Sequence, residues 1–205
     1  MKRLIVLLMI MSFCTVSIFA DQSSDLFDKA LAKFEMKKYK DTYKLTKIFL
    51  AKYQDSESRD DVLFLQGKTL YFLWDRENAL KKKEHEYNIQ DAIDSFETLY
   101  KEFPDSPHAP YSMLWIGTCH YSDRKLNKAI ETYEILIKKY TSHKETKNAL
   151  YKIGKCYEKK NDFKSALKSY ELVVSNFSDS KIAKQAEYDI KRIKKIQEIN
   201  RREGK

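Results

Sequence analysis

Three groups of side chains in this 205-residue sequence have types suited to chemistry. Cys119, His120, His143 and Cys156 offer the thiolate and imidazole donors that hold zinc. Their spacing matches no zinc pattern, so no metal and no cofactor is expected. The carboxylate pairs Asp60-Asp61 and Glu84 with Glu86 could share a proton, but they fall on solvated helix starts or faces. No Ser, His and Asp can be brought together from spacing, and the sequence reads as non-catalytic. The four glycines, Gly67, Gly117, Gly154 and Gly204, lie too far apart for a phosphate-cradling loop.

The elements that position these residues are helices. Four glycines and three prolines in 205 residues amount to about 3%, against roughly 12% in ordinary proteins, so tight hairpins are scarce. An apolar fraction of 42% and an aromatic fraction of 13% suffice for a core. The net charge of +9 is uneven: residues 191–205 hold seven basic and two acidic residues and supply +5 of it. The basic tail at 196–205 suits an anionic surface, or is simply the solvated end of a helix. No aromatics interleave its charges, and nucleic acid is not an expected partner.

Residues 1–20 are set apart. Lys2-Arg3, an apolar run from Leu4 to Phe13 and a more polar stretch ending at Ala20 describe a secretory signal peptide cut after Ala20. That predicts a periplasmic or exported protein. Two alternatives stay open: lipidation at Cys14, and an uncleaved anchor, since Leu4 to Ala20 is near the shortest span of a bilayer.

The remainder repeats. Ala92 to Phe103, Ala129 to Tyr140 and Ala166 to Phe177 align without gaps, and the second and third recur at 37 residues. Each ends in an aromatic followed by a turn, the first being Phe103-Pro104-Asp105-Ser106. Gly67, Gly117 and Gly154 each stand 14 residues beyond the aromatic of the previous repeat, after Tyr53, Phe103 and Tyr140. The first repeat is degenerate, with Ala30, Thr42 and Tyr53 at the matching places.

This pattern resembles the tetratricopeptide repeat (TPR), a pair of antiparallel helices of about 34 residues. The resemblance implies an all-α, right-handed solenoid over residues 24–195, with repeats near 24–56, 60–106, 110–143 and 147–180 and a capping helix at 181–200. Gly67, Ala92, Gly117, Ala129, Gly154 and Ala166 are the implied small residues where helices cross, letting backbones approach while aromatics fill the wedge between pairs. The 13 extra residues between Gly67 and Ala92, around Trp74 to Asn88, read as an elongated helix pair.

The 37-residue spacing and aromatic-Pro-Asp-Ser turn further resemble bacterial envelope TPR proteins, namely BamD-type outer-membrane assembly lipoproteins and the periplasmic protein associated with Tol-Pal. That resemblance implies a scaffold for envelope proteins or peptide segments, in outer-membrane protein assembly or cell-wall biogenesis. The other class is a membrane-surface or polyanion binder acting through the basic C-terminal helix. By the family pattern the concave groove is lined by Phe64, Lys68 and Tyr71, then Tyr111, Leu114, Thr118 and Tyr121, then Asn148, Tyr151, Lys155 and Glu158. Such aromatics suit a bound peptide, or else they pack against the insertion or the terminal helix. Cys119 and Cys156 occupy one place in adjacent repeats, about 10 Å apart, too far for a disulfide, and read as small core fillers.

Overall fold

The structure, a computed structural model, describes residues 22–81 and 84–202. The signal segment 1–20 with Cys14 and the cut after Ala20 lies outside the described residues, as do the last residues of the basic tail. Among the described residues every regular element is a helix. They are α1 (22–35), α2 (Tyr39–Lys52), α3 (Arg59–Ala79), α4 (Ile89–Glu102), α5 (Ala109–Ser122), α6 (Leu126–Lys139), α7 (Thr146–Lys159), α8 (Phe163–Asn176) and α9 (Lys181–Arg202). They form two compact halves, divided between His108 and Ala109.

In the N-terminal half α2 packs on α3 and α3 on α4. The start of α1 is held by Leu26 and Phe27 against Phe49, Tyr53 and Val62. In the C-terminal half α5 to α9 each pack on the next, and α9 also meets α7. Tyr170, Val173, Ala183, Ala186 and Ile193 form one of the buried clusters there.

One contact repeats inside each glycine-bearing pair. A Cβ built on Gly67 would come within 2.7 Å of the Phe96 ring, on Gly117 within 2.3 Å of Tyr133, and on Gly154 within 2.4 Å of Tyr170. All three rings are fully buried. The glycines therefore make room for a ring of the partner helix, rather than for its backbone, and the ring lies within a pair rather than between pairs. Ala92, Ala129 and Ala166, one turn before those rings, are also fully buried.

The turn inside three of the pairs is a three-residue link closed without glycine. Lys37, Arg124 and Asn161 take the left-handed conformation, with φ of 57°, 58° and 60°. The next amide reaches back to the preceding helix, from Lys38 to the Lys33 carbonyl, Lys125 to His120 and Asp162 to Tyr157, at 2.8–2.9 Å. This six-to-one bond satisfies carbonyls a helix end would otherwise leave open.

The second repeat is where sequence and structure part. Its extra residues do not elongate a helix pair. α3 grows to 21 residues while α4 keeps 14, and the described residues between them, 80–81 and 84–88, are not helical. That loop is pinned by the buried Glu77, whose carboxylate accepts the amides of Glu86 at 2.9 Å and Tyr87 at 3.2 Å. Asn88 then caps α4 by accepting from the Gln90 amide.

Two substitutions test this packing in opposite directions. Gly154→Ala forces the Tyr170 ring back by about 1 Å, and overpacking of roughly 1–3 kcal/mol exceeds the helix-propensity gain of about 1 kcal/mol. Urea unfolding should show a net loss of up to about 2 kcal/mol; a gain approaching the full propensity difference would refute the ring contact. Ser112 is fully buried with an unpartnered hydroxyl, whereas Ala149 and Ala186 fill the same place 37 and 74 residues on. Ser112→Ala should therefore stabilise by about 1 kcal/mol.

Candidate partner-binding groove and its closing helix

In the C-terminal half, α5, α7 and the start of α9 enclose a groove of about 400 Å³. Leu114 and Tyr121 come from α5, Asn148, Tyr151, Lys152 and Lys155 from α7, and Ile182 from α9. Five of these, Leu114, Tyr121, Asn148, Tyr151 and Lys155, are on the family-derived list. Lys152 and Ile182 are not. Lys152 follows Asn148 by one helical turn, so spacing could have found it. Ile182 belongs to the terminal helix, which the family pattern does not count among the groove-lining helices.

The walls combine rings and charge. The Lys159 ammonium lies 4.4 Å from the centre of the Tyr121 ring. Burial pulls the Lys152 ammonium below the ordinary lysine value, against the pull of Cys156 and Glu145. Asn148 donates to Glu145 at 2.5 Å, which fixes its side chain at the rim. Such a surface, apolar with a few placed polar groups, has the make-up of a ligand site.

The remaining positions of that half face other work. Tyr111 meets the His143 ring edge-on at 5.4 Å, with Lys144 5.3 Å from its centre. Thr118 donates to the Leu114 carbonyl at 2.8 Å and stands 3.4 Å from the Tyr133 hydroxyl. Glu158 turns to α9. Its carboxylate takes Arg192 at 2.7 Å, the Tyr170 hydroxyl at 3.1 Å and Lys155 at 3.4 Å.

Tyr151 does both jobs. It lines the groove, and its hydroxyl donates to Asp189 at 2.7 Å, while Arg192 closes on the same carboxylate at 2.9 Å. The terminal-helix alternative for the tyrosines therefore describes Tyr151. Asp189 is only 3% exposed. Burial pushes its carboxyl up, but hydrogen bonds from Tyr151 and Arg192, with the Lys155 charge, outweigh that and hold it below the usual range. Beyond Ile193 the helix is largely exposed, and the basic residues to Arg202 form its solvated end.

In the N-terminal half Phe64, Lys68 and Tyr71 are engaged within the fold. Phe64 stacks on His108 at 4.6 Å, and the Lys68 ammonium sits 4.7 Å from Phe34 and 5.5 Å from Phe64. Tyr71 packs on Phe72 and Trp74. Trp74 lies in the lengthened part of α3, so the insertion alternative describes Tyr71. The Asp60-Asp61 pair ties down the turn after α4: Asp60 accepts from Ser106 at 2.6 Å and Asp61 pairs with His108 at 2.7 Å.

Cys119 and Cys156 are free and fully buried, and burial pushes both thiols up to about 12. Among the described residues no three His, Cys, Asp or Glu converge as metal ligands, and no helix is long and apolar enough to cross a membrane.

Family comparison decides the identity of this fold. The chain matches the family profile YfiO, described as an outer membrane lipoprotein, over residues 19–112 and 79–196. It belongs to the YfiO family. No curated protein matches it. Among solved structures, a TPR protein from Parabacteroides merdae ATCC 43184 aligns at 14% identity and TM-score 0.62, over 84% of this chain and 60% of that one. The chain thus spans less than two thirds of that protein's length. YrrB, a TPR protein with an unusual peptide-binding site, aligns at 14% identity and TM-score 0.59, over 81% and 74%. MamA aligns at 15% and 0.57, over 88% and 94%. At such identities the likeness shows the fold, an all-α TPR solenoid. The YfiO family is one of non-catalytic interaction scaffolds.

In this YfiO-family chain the Asp189 cluster generates a pH prediction. A carboxyl held low in the folded state stabilises above its unfolded value, about 3.9, and that contribution fades as pH falls through the folded value. Wild type should exceed Asp189→Asn in stability by about 1–3 kcal/mol at pH 7, with the gap closing below about pH 4. A gap independent of pH would refute the charged cluster.

Proposed function

We propose that this protein is an envelope scaffold that holds an extended segment of a partner protein in the groove of α5, α7 and α9, in outer-membrane protein assembly or cell-wall biogenesis. The observation that carries the reading is the groove itself, where Tyr121, Leu114 and Ile182 offer apolar contact beside Asn148, Lys152 and Lys155. Tyrosine gives large contact area with few torsions to freeze, and amide and ammonium groups can meet the backbone carbonyls of an extended chain. The YfiO profile supports an envelope setting. YrrB supports peptide binding as a use of the same fold. A leader over residues 1–20 cut after Ala20 would deliver the chain there.

Tyr121 is the residue to change, because Tyr151 also anchors α9 and its loss would mix binding with stability. A photo-crosslinker at Leu114 should capture a partner in cells, and one at Leu172, exposed on α8, should not. Tyr121→Ala should weaken the captured partner by at least about tenfold while leaving the unfolding midpoint near wild type. Equal capture from both positions, or unchanged affinity of the variant, would sink the groove as the binding site.

A further inference from the structure

The N-terminal half carries a second surface that owes nothing to the groove. The link between α1 and α2 and the end of α3 line one cavity of about 600 Å³, which includes Lys37, Lys38, Arg76 and Leu80. The two chain reversals flanking it end in apolar residues that no core covers: Met36 is 63% exposed and Leu80 64%. Each is followed by a lysine in the left-handed conformation, Lys37 and Lys81, which holds the reversal tight.

The cations are unspent. Among the described residues no ion pair engages Lys37, Lys38, Arg76 or Lys81, while the nearby Lys40 is neutralised by Glu86 at 2.8 Å. Of the two acidic residues lining the cavity, Glu77 is buried and turned inward onto the loop amides; Asp41 opposes a single charge. Two apolar tips among four unpaired cations form a pattern that water alone does not reward. It is rewarded at an anionic bilayer, where apolar residues enter the headgroup boundary and each nearby Lys or Arg adds attraction.

We propose that Met36, Lys37, Lys38, Arg76, Leu80 and Lys81 form a docking surface for an anionic phospholipid bilayer, distinct from the basic C-terminal helix. An acidic protein would use the cations but leave the apolar tips unexplained. This site does not depend on the groove being occupied.

Hydrogen exchange on the full chain reads the surface locally, so binding through residues 1–20 cannot mimic it. Amides of 34–40 and 76–81 should exchange at least about fivefold slower on vesicles containing phosphatidylglycerol than on phosphatidylcholine alone, with the difference shrinking at high salt. The effect should disappear in Met36→Asp/Leu80→Asp and in Lys37→Glu/Lys38→Glu/Arg76→Glu. All five positions lie outside the core, so folding should survive, and the wild-type comparison decides even if a variant does not fold. Equal rates on the two vesicle types would overturn the proposal. So would the same slowing from inorganic phosphate alone, marking a discrete anion pocket, or from polyglutamate without vesicles, marking an acidic protein partner.

Discussion

The structure depends on an aromatic ring being packed directly against a helix backbone at a glycine. A helix pair with ordinary side chains at its crossing is held apart by its Cβ atoms. Removing one Cβ at Gly67, Gly117 or Gly154 lets one side of the Phe96, Tyr133 or Tyr170 ring, its Cδ1, Cε1 and Cζ atoms, fill the gap, at distances no side-chain carbon could share. Glycine weakens a helix by up to about 1 kcal/mol, so the site is stable only because a fully buried ring offsets that loss. Glycine is therefore concentrated where the crossing needs it. It is absent from the links inside the pairs, where Lys37, Arg124 and Asn161 accept left-handed backbone instead.

The same ring positions lead from packing to polarity. A tyrosine carries a hydroxyl into the pair that Phe96 does not, and that hydroxyl must find a partner. Tyr133 has Thr118 within reach, and Tyr170 uses Glu158, which in turn recruits Arg192 and so ties α7 and α8 to α9. The end of the array is thus closed by a linked set of polar groups, Tyr170 and Asp189 buried and Tyr151, Glu158 and Arg192 half-buried, as well as by Ala183, Ala186 and Ile193. A lone buried carboxylate such as Asp189 would be costly. With Tyr151 and Arg192 on it the carboxylate is compensated, and the register of α9 on α7 is specified by charge as well as shape.

The repeat was legible because its rules are local in sequence: one glycine, one alanine and one aromatic at fixed intervals, with a 37-residue phase that continues into α9. Ala186 stands where Ala149 does, and both are fully buried. The groove was legible only in part. The family register names positions on helix faces, and Leu114 and Tyr121 of α5 with Asn148, Tyr151 and Lys155 of α7 line one groove. The register cannot say which of them a terminal helix will engage, because Asp189 and Arg192 lie 38 and 34 residues away from their partners Tyr151 and Glu158. The insertion was misread for a related reason. A count of 13 extra residues does not say how they divide between helix and loop, and Glu77, which satisfies two loop amides at once, favours ending α3 and leaving a capped loop.

Charge shows the limit of counting most clearly. A total of +9, with +5 in the last fifteen residues and +2 at Lys2 and Arg3, leaves a body of about +2, yet near-neutrality of a sum says nothing of how its members pair. Glu158 and Asp189 are consumed by Arg192 and Lys155, Asp61 by His108, Glu77 by loop amides, and Glu86 by Lys40. An acid held by neutral groups, as Glu77 is by its loop amides, leaves a basic group without an acidic counterpart. The surface is therefore more basic in patches than the sequence total implies, and in the N-terminal half that excess gathers beside the two most exposed apolar turns. Local pairing thus decides where this scaffold can meet an anionic partner.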